Sequence, residues 1–245
     1  MKIVEAKDYN EMSRKAADYI IKKIQNSPKL NLGLATGGTP VGIYQNLIKD
    51  HQLNGTSYTH IATFNLDEYV GLSPESPNSY RFYMNHKLFN HIDINIGKTH
   101  VPHGNAHHLH EECLRYERLI AENGGIDLQI LGIGANGHIG FNEPGTSFQS
   151  ITNIVDLTPS TREANARYFP SLSEVPTQAI TMGISTIMKS KEIILLVSGE
   201  NKAEAFSKFM IQEIDEKFPA SILKNHPCVT IIADTAAMKK VKVHC

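Results

Sequence analysis

Leu30-Asn31-Leu32-Gly33-Leu34-Ala35-Thr36-Gly37-Gly38-Thr39-Pro40 runs from an apolar stretch through paired glycines to a proline. Leu30–Ala35 reads as a buried strand. Pro40 suits the first turn of a helix, where its missing N–H would have had no partner. The apolar spacing beyond it continues as a helix to about Asp50. Strand, glycine turn and helix form the repeating unit of α/β proteins. The same alternation extends in both directions. Upstream, Ile3–Ala6 reads as a strand. Asp8 caps a helix in which Tyr9, Met12, Ala16, Tyr19, Ile20 and Ile24 recur at helical spacing. Downstream, His60–Leu66 is a strand ending at Asp67-Glu68, and 78–89 and 108–121 read as helices. Ile126–Ile133 is an apolar run bounded by glycines. Ala179–Met182, Glu192–Ser198 and Val229–Ala233 are further strands, with helices at Ala203–Ile211 and Ala220–Asn225.

Continuous apolar strands separated by helices point to strands buried on both faces. The expected fold is α/β: a three-layer, mostly parallel open sheet with helices on both faces and Rossmann-like topology. One domain over 1–245 is expected. The Ser-, Thr- and Pro-rich stretch 144–176 would form a lid over the active face. In such sheets ligands bind at the carboxyl ends of the strands.

Composition narrows the classes of function. The 245 residues carry 24 Lys plus Arg against 25 Asp plus Glu, a net charge of -1, and 41% are apolar. That balance disfavours a broad nucleic-acid-binding face. No apolar run reaches the ~18 residues of a membrane span. Glu5 comes too early for a signal peptide. Cys113, Cys228 and Cys245 form no CxxC pair and leave an odd thiol, so no disulfide framework is expected. A cytoplasmic protein follows as the expectation.

Each segment after a strand admits a functional and a plain reading. Thr36, Gly37, Gly38 and Thr39 either cradle a phosphate at a helix N-terminus or make a tight turn. Gly132-Ile133-Gly134-Ala135-Asn136-Gly137 matches the dinucleotide pattern GxGxxG, with Asp156 downstream. Pro144 and a Thr/Ser-rich loop stand where the crossover helix should follow, which argues against that reading. His138 and Glu143 form an acid/base pair or a surface histidine beside a turn. Asp67 is a base at a strand end or a turn former. His103, His107, His108, His110 and Cys113 fit no standard zinc spacing, and a solvated loop entering a helix describes them better. Arg162 and Lys202 either converge on a phosphate or are solvated charges.

Five of these segments, taken in order, resemble the glucosamine-6-phosphate deaminase family: TGGTP at 36–40, LDEYVGL at 66–72, GANGHIGFNEPG at 134–145, TREANARYF at 161–169 and SGENKAEA at 198–205. The resemblance implies a cofactor-free and metal-free conversion of glucosamine 6-phosphate and water into fructose 6-phosphate and ammonia. It implies that His138 opens the sugar ring with Glu143 supporting the imidazole, and that Asp67 moves the C2 proton. Thr36, Gly37, Gly38, Thr39, Arg162 and Lys202 would hold the phosphate. Many members carry Asp where this chain has Asn136, and an amide can orient groups by hydrogen bonding but not take up a proton. Regulated relatives are hexamers that bind an activator phosphate through basic residues past the motif Glu. Here 150–156 contains no Lys or Arg and adds Asp156, so a monomer without that activation is expected. A small sugar phosphate is the implied partner, with neither nucleic acid nor membrane.

Overall fold

A computed structural model describes residues 1–241; Cys245, counted above among the cysteines, lies outside the described residues. In chain order the elements are β1 (Lys2–Ala6), α1 (Tyr9–Asn26), β2 (Leu30–Leu34), α2 (Val41–Asn54), β3 (Ile61–Asn65), β4 (Asp67–Tyr69), α3 (Tyr80–Lys87) and β5 (Thr99–His100). They continue with α4 (Leu109–Glu122), β6 (Leu128–Gly132), β7 (Asn153–Asp156), α5 (Pro159–Asn165), β8 (Gln178–Thr181) and α6 (Ile184–Met188). The chain then forms β9 (Glu192–Val197), α7 (Ala203–Ile211), β10 (Val229–Asp234) and α8 (Thr235–Met238).

Seven strands form one sheet in the order β1-β10-β9-β6-β2-β3-β5, and every pairing is parallel. From β2 the chain builds outward through β3 and β5, then returns to the other flank of β2 and builds through β6 and β9 to β10. The reversal falls between β2 and β6, the position at whose carboxyl ends sheets of this kind bind ligands.

Strand side chains alternate between two apolar layers. Leu32, Leu34, Ile130, Ile194 and Leu196 pack with Met12, Ile20, Tyr44, Leu47 and Met84 of α1, α2 and α3. Phe64, Leu131, Leu195, Val197 and Ile231 pack with Tyr116, Ile120, Phe206 and Phe209 of α4 and α7 on the opposite face. Asp8 caps α1 as the sequence indicates, accepting from the Glu11 N–H at 2.8 Å. Within the sheet Gly33 makes room for a neighbour: a Cβ there would stand 2.0 Å from the buried Gln129 amide oxygen.

One expectation needs correction. Ala179–Met182 does not join the parallel sheet; β8 lies between β4 and β7 in a separate antiparallel sheet, with Asp67 opposite Thr181. The helix expected at Ala220–Asn225 is present as a 3₁₀ helix that begins at Pro219. The stretch 144–176 contains β7 and α5, the latter capped by the Thr158 hydroxyl. Phe169, just past α5, stacks edge-on against Tyr69 at 5.6 Å, within an aromatic cluster that includes Tyr80 and Phe141. That cluster ties the segment to β4.

Candidate functional site

The carboxyl ends of β3, β2, β6 and β9 deliver four of the five segments singled out in the sequence to one edge of the sheet, and 161–169 follows β7 of the smaller sheet. Leu66 links the two sheets: its N–H donates to the Leu34 carbonyl at 3.0 Å, and its own carbonyl accepts from Met182 at 2.7 Å. Asp67 follows immediately and is 6% exposed. Its carboxylate accepts no hydrogen bond from any described group, and burial, helped by the charge of Glu68, pushes its pKa up to about 8.

Glu68 has a different environment. Its carboxylate accepts from the N–H groups of Tyr69, Tyr80 and Arg81 at 2.9, 2.8 and 3.0 Å. Two of those donors open α3, so Glu68 satisfies a helix N-terminus where negative charge is favoured. Burial lifts its pKa to about 7 even against those donors and Arg81. Of the adjacent carboxylates, Glu68 fastens α3 and Asp67 is left free.

After β6 the chain turns back on itself. The Gly134 N–H donates to the His138 carbonyl at 2.9 Å, and no helix follows before β7. The glycines of the GxGxxG pattern therefore serve the turn rather than a dinucleotide. A Cβ at Gly134 would stand 2.3 Å from the His138 ring, and Gly137 adopts φ +88° against the Phe218 ring. His138 Nδ1 lies 3.6 Å from Glu143 Oε2 and has no hydrogen-bond partner. Asn136 bridges the two residues: its side-chain amide donates to Glu143 Oε2 at 2.6 Å, and its side-chain oxygen accepts from the backbone N–H of His138 at 3.2 Å. The Thr161 hydroxyl donates to the other Glu143 oxygen. Burial would raise the Glu143 pKa, but His138, Thr161 and Asn136 outweigh it and hold the carboxyl at about 2.

The turn Thr36–Thr39 sits at the N-terminus of α2, and no described group accepts from the N–H of Thr36, Gly37, Gly38 or Thr39. Gly37 takes φ +86°, a conformation suited to glycine. Four unpaired donors at a helix start suit an anion. Lys202 closes the 3₁₀ turn after β9. That turn is fixed by Asp234, which accepts from the Ser198 hydroxyl and the Gly199 N–H. Burial, and then the charge of Arg167, lowers the Lys202 pKa.

Arg162 is placed differently from the sequence reading. Its guanidinium donates to the carbonyls of Leu172 and Val175, at 3.0 and 2.9 Å, and thereby braces residues 172–175. Arg167, in the same TREANARYF segment, is the arginine whose charge reaches Lys202. Beside it the Tyr168 hydroxyl is 4.0 Å from where a Cβ on Gly38 would be. Arg167 and Tyr168 are not singled out by the sequence, nor is the bond of Thr161 to Glu143; the second arginine of the motif is the available signal. The histidines of 103–110 do not gather. His103 lies 3.9 Å from Glu112, and among the described residues no three His, Cys, Asp or Glu side chains converge as a metal site would require.

Residues 7–232 match the family model described as glucosamine-6-phosphate isomerases/6-phosphogluconolactonase. The chain belongs to this family. A relative from Halalkalibacterium halodurans named glucosamine-6-phosphate deaminase is 61% identical over 243 residues, covering 99% of each chain. Glucosamine-6-phosphate deaminase 1 of Bacillus subtilis is 53% identical over 97% of this chain and 98% of its own. A solved structure described as a monomeric glucosamine-6-phosphate deaminase superposes with a TM-score of 0.97 at 52% identity, over 98% of this chain and all of that one. The 6-phosphogluconolactonase of Trypanosoma cruzi, at 19% identity and a TM-score of 0.78, covers 100% of this chain and 97% of its own and shares the fold. Among the described residues no helix is long and apolar enough to cross a membrane.

Proposed function

We propose that this family member is a glucosamine-6-phosphate deaminase, converting glucosamine 6-phosphate and water into fructose 6-phosphate and ammonia. The observation that carries the reading is Asp67, a buried carboxylate with a raised pKa and no partner. Moving a carbon-bound proton requires such a base, whereas hydrolysing a lactone does not. The full-length similarity to relatives named as deaminases supports the same reaction.

His138 moves a proton between the anomeric hydroxyl and the ring oxygen, opening the hemiacetal to the aldehyde. Glu143, held ionised by its surroundings, supports the charge on the imidazole, with Asn136 bonded to that carboxylate and to the His138 backbone. The aldehyde acidifies C2–H. Asp67 removes that proton to give an enolamine and returns it at C1, which leaves an imine at C2. Water adds at C2, the C–N bond breaks, and ammonia departs from the ketone. The N–H groups of Thr36, Gly37, Gly38 and Thr39 hold the phosphate together with Lys202 and Arg167, so the reacting carbons stay fixed against Asp67. Arg162 serves that site indirectly, by bracing the segment that carries Arg167. Residues 144–176 act as a lid, and the enzyme works in the cytoplasm as a monomer that is not activated by N-acetylglucosamine 6-phosphate.

Ammonia release from glucosamine 6-phosphate is the test. Turnover dependent on enzyme is expected, with little from unphosphorylated glucosamine. A folded protein that releases no ammonia would overturn the reading.

A further inference from the structure

Three tyrosines from three helices approach the Thr36–Thr39 turn from the layer beneath it. The Tyr44 hydroxyl of α2 donates to the Ala35 carbonyl at 2.5 Å. The Tyr83 hydroxyl of α3 donates to the Gly37 carbonyl at 2.6 Å. The Tyr9 hydroxyl of α1 donates to the Gly38 carbonyl at 3.1 Å and accepts from the Gly42 N–H at 2.8 Å. The approach of Tyr9 depends on Gly42, where a Cβ would stand 2.4 Å from Ser13 Oγ and 3.1 Å from Tyr9 Cε1.

A trans peptide is planar, so its carbonyl and the N–H that follows point in opposite directions. None of the described peptide bonds is cis. Pulling the carbonyls of Ala35, Gly37 and Gly38 toward the α1–α3 layer therefore turns the N–H groups of Thr36, Gly38 and Thr39 away from it. These are among the N–H groups that no described residue satisfies. A glycine pair alone would leave the turn free to rotate its peptides, at an entropic cost to any anion it bound. In sequence Tyr9 reads only as part of the apolar stripe of α1, which is one reason the arrangement is not visible there.

We infer that Tyr9, Tyr44 and Tyr83 are positioning residues that preorganise the Thr36–Thr39 turn for the phosphate of the substrate by fixing the orientation of its peptides. This rests on the phosphate-binding role proposed above for the turn. The tyrosines do not touch the anion; they act through the backbone. Loss of one hydroxyl should weaken phosphate binding and leave the proton-transfer groups in place.

The test compares Tyr9→Phe, Tyr83→Phe and the double variant with the unaltered enzyme, measuring kcat and KM for glucosamine 6-phosphate and Ki for inorganic phosphate. Each single change should raise KM and Ki together by roughly two- to tenfold, and the double variant should raise them further, with kcat within about twofold. Tyr58→Phe is the control. It removes a buried hydroxyl that reaches only the Leu47 carbonyl, at 3.4 Å, and should move neither constant. Thermal melting separates lost stability from lost positioning. If the double variant keeps both constants, or if Tyr58→Phe shifts them equally, the positioning role is overturned. If the unaltered enzyme neither turns over the sugar phosphate nor is inhibited by phosphate, the functional reading fails first and takes this inference with it.

Discussion

Asp67 and Glu143 are carboxylates at the carboxyl edge of one sheet, and their surroundings drive them in opposite directions. Asp67 is buried beside the charge of Glu68 and receives no hydrogen bond, so it holds its proton to about pH 8. Glu143 is also partly buried, yet Asn136, Thr161 and His138 surround it and keep it ionised down to about pH 2. Burial acts the same way on both; the donors make the difference. The same edge of the fold thus carries a carboxyl that changes charge near pH 8 and another that stays ionised, the pairing of environments that acid and base chemistry uses.

The most severe way to break that contrast is Asp67→Asn, which removes the acceptor and leaves the shape. It should lower kcat by about 10³–10⁴-fold with KM for glucosamine 6-phosphate nearly unchanged, as steady-state ammonia release would show. Glu143→Gln removes the permanent charge and should cost about 10²-fold. Its loss should fall on ring opening, so it should shrink when pre-opened substrate analogues are assayed. Equal losses for both substrates would place Glu143 outside that step. Arg167→Ala and Lys202→Ala leave both carboxylates alone and should raise KM roughly 10–10²-fold each, the value of a charge-assisted phosphate contact. Arg162→Ala should lower the melting temperature more than it raises KM, since its partners are the carbonyls of Leu172 and Val175.

The smallest expected effect is on stability, and its sign differs between the two residues. Asp67 titrates near 3.8 when unperturbed and near 8 in the fold. Between those values the folded protein holds a proton that the unfolded chain has released, so stability falls as pH rises across the window. Asp67→Asn should therefore stabilise the protein by about 1–3 kcal/mol near pH 9 and by almost nothing near pH 4. Glu143 moves from 4.5 to about 2, so its contribution is present above about pH 4.5 and is lost as pH falls toward 2. Glu143→Gln should destabilise at pH 7, with the difference shrinking on acidification. Urea unfolding of both variants across pH gives both slopes.

Much of this arrangement was legible in the sequence. The central parallel strands β2 and β3 are fully buried, β6 and β9 nearly so, and Asp67, His138 and Glu143 lie in the segments that follow β3 and β6. The small sheet was not legible. β4 has three residues, and its partner Thr181 lies more than a hundred positions away, so no local pattern announces the pairing. The choice between Arg162 and Arg167 depended on which guanidinium the carbonyls of 172–175 captured, and a motif string does not encode that. The partner of Thr161 is hidden for the same reason: its bond to Glu143 crosses a loop.

A ¹³C NMR titration of the Asp and Glu side-chain carboxyls, with signals assigned from the Asp67→Asn and Glu143→Gln spectra, tests the contrast most directly. The contrast predicts a midpoint near pH 8 for Asp67, while Glu143 remains ionised throughout the range in which ordinary carboxyls titrate. Two midpoints close together near pH 4 would contradict it, because the two carboxylates would then be alike.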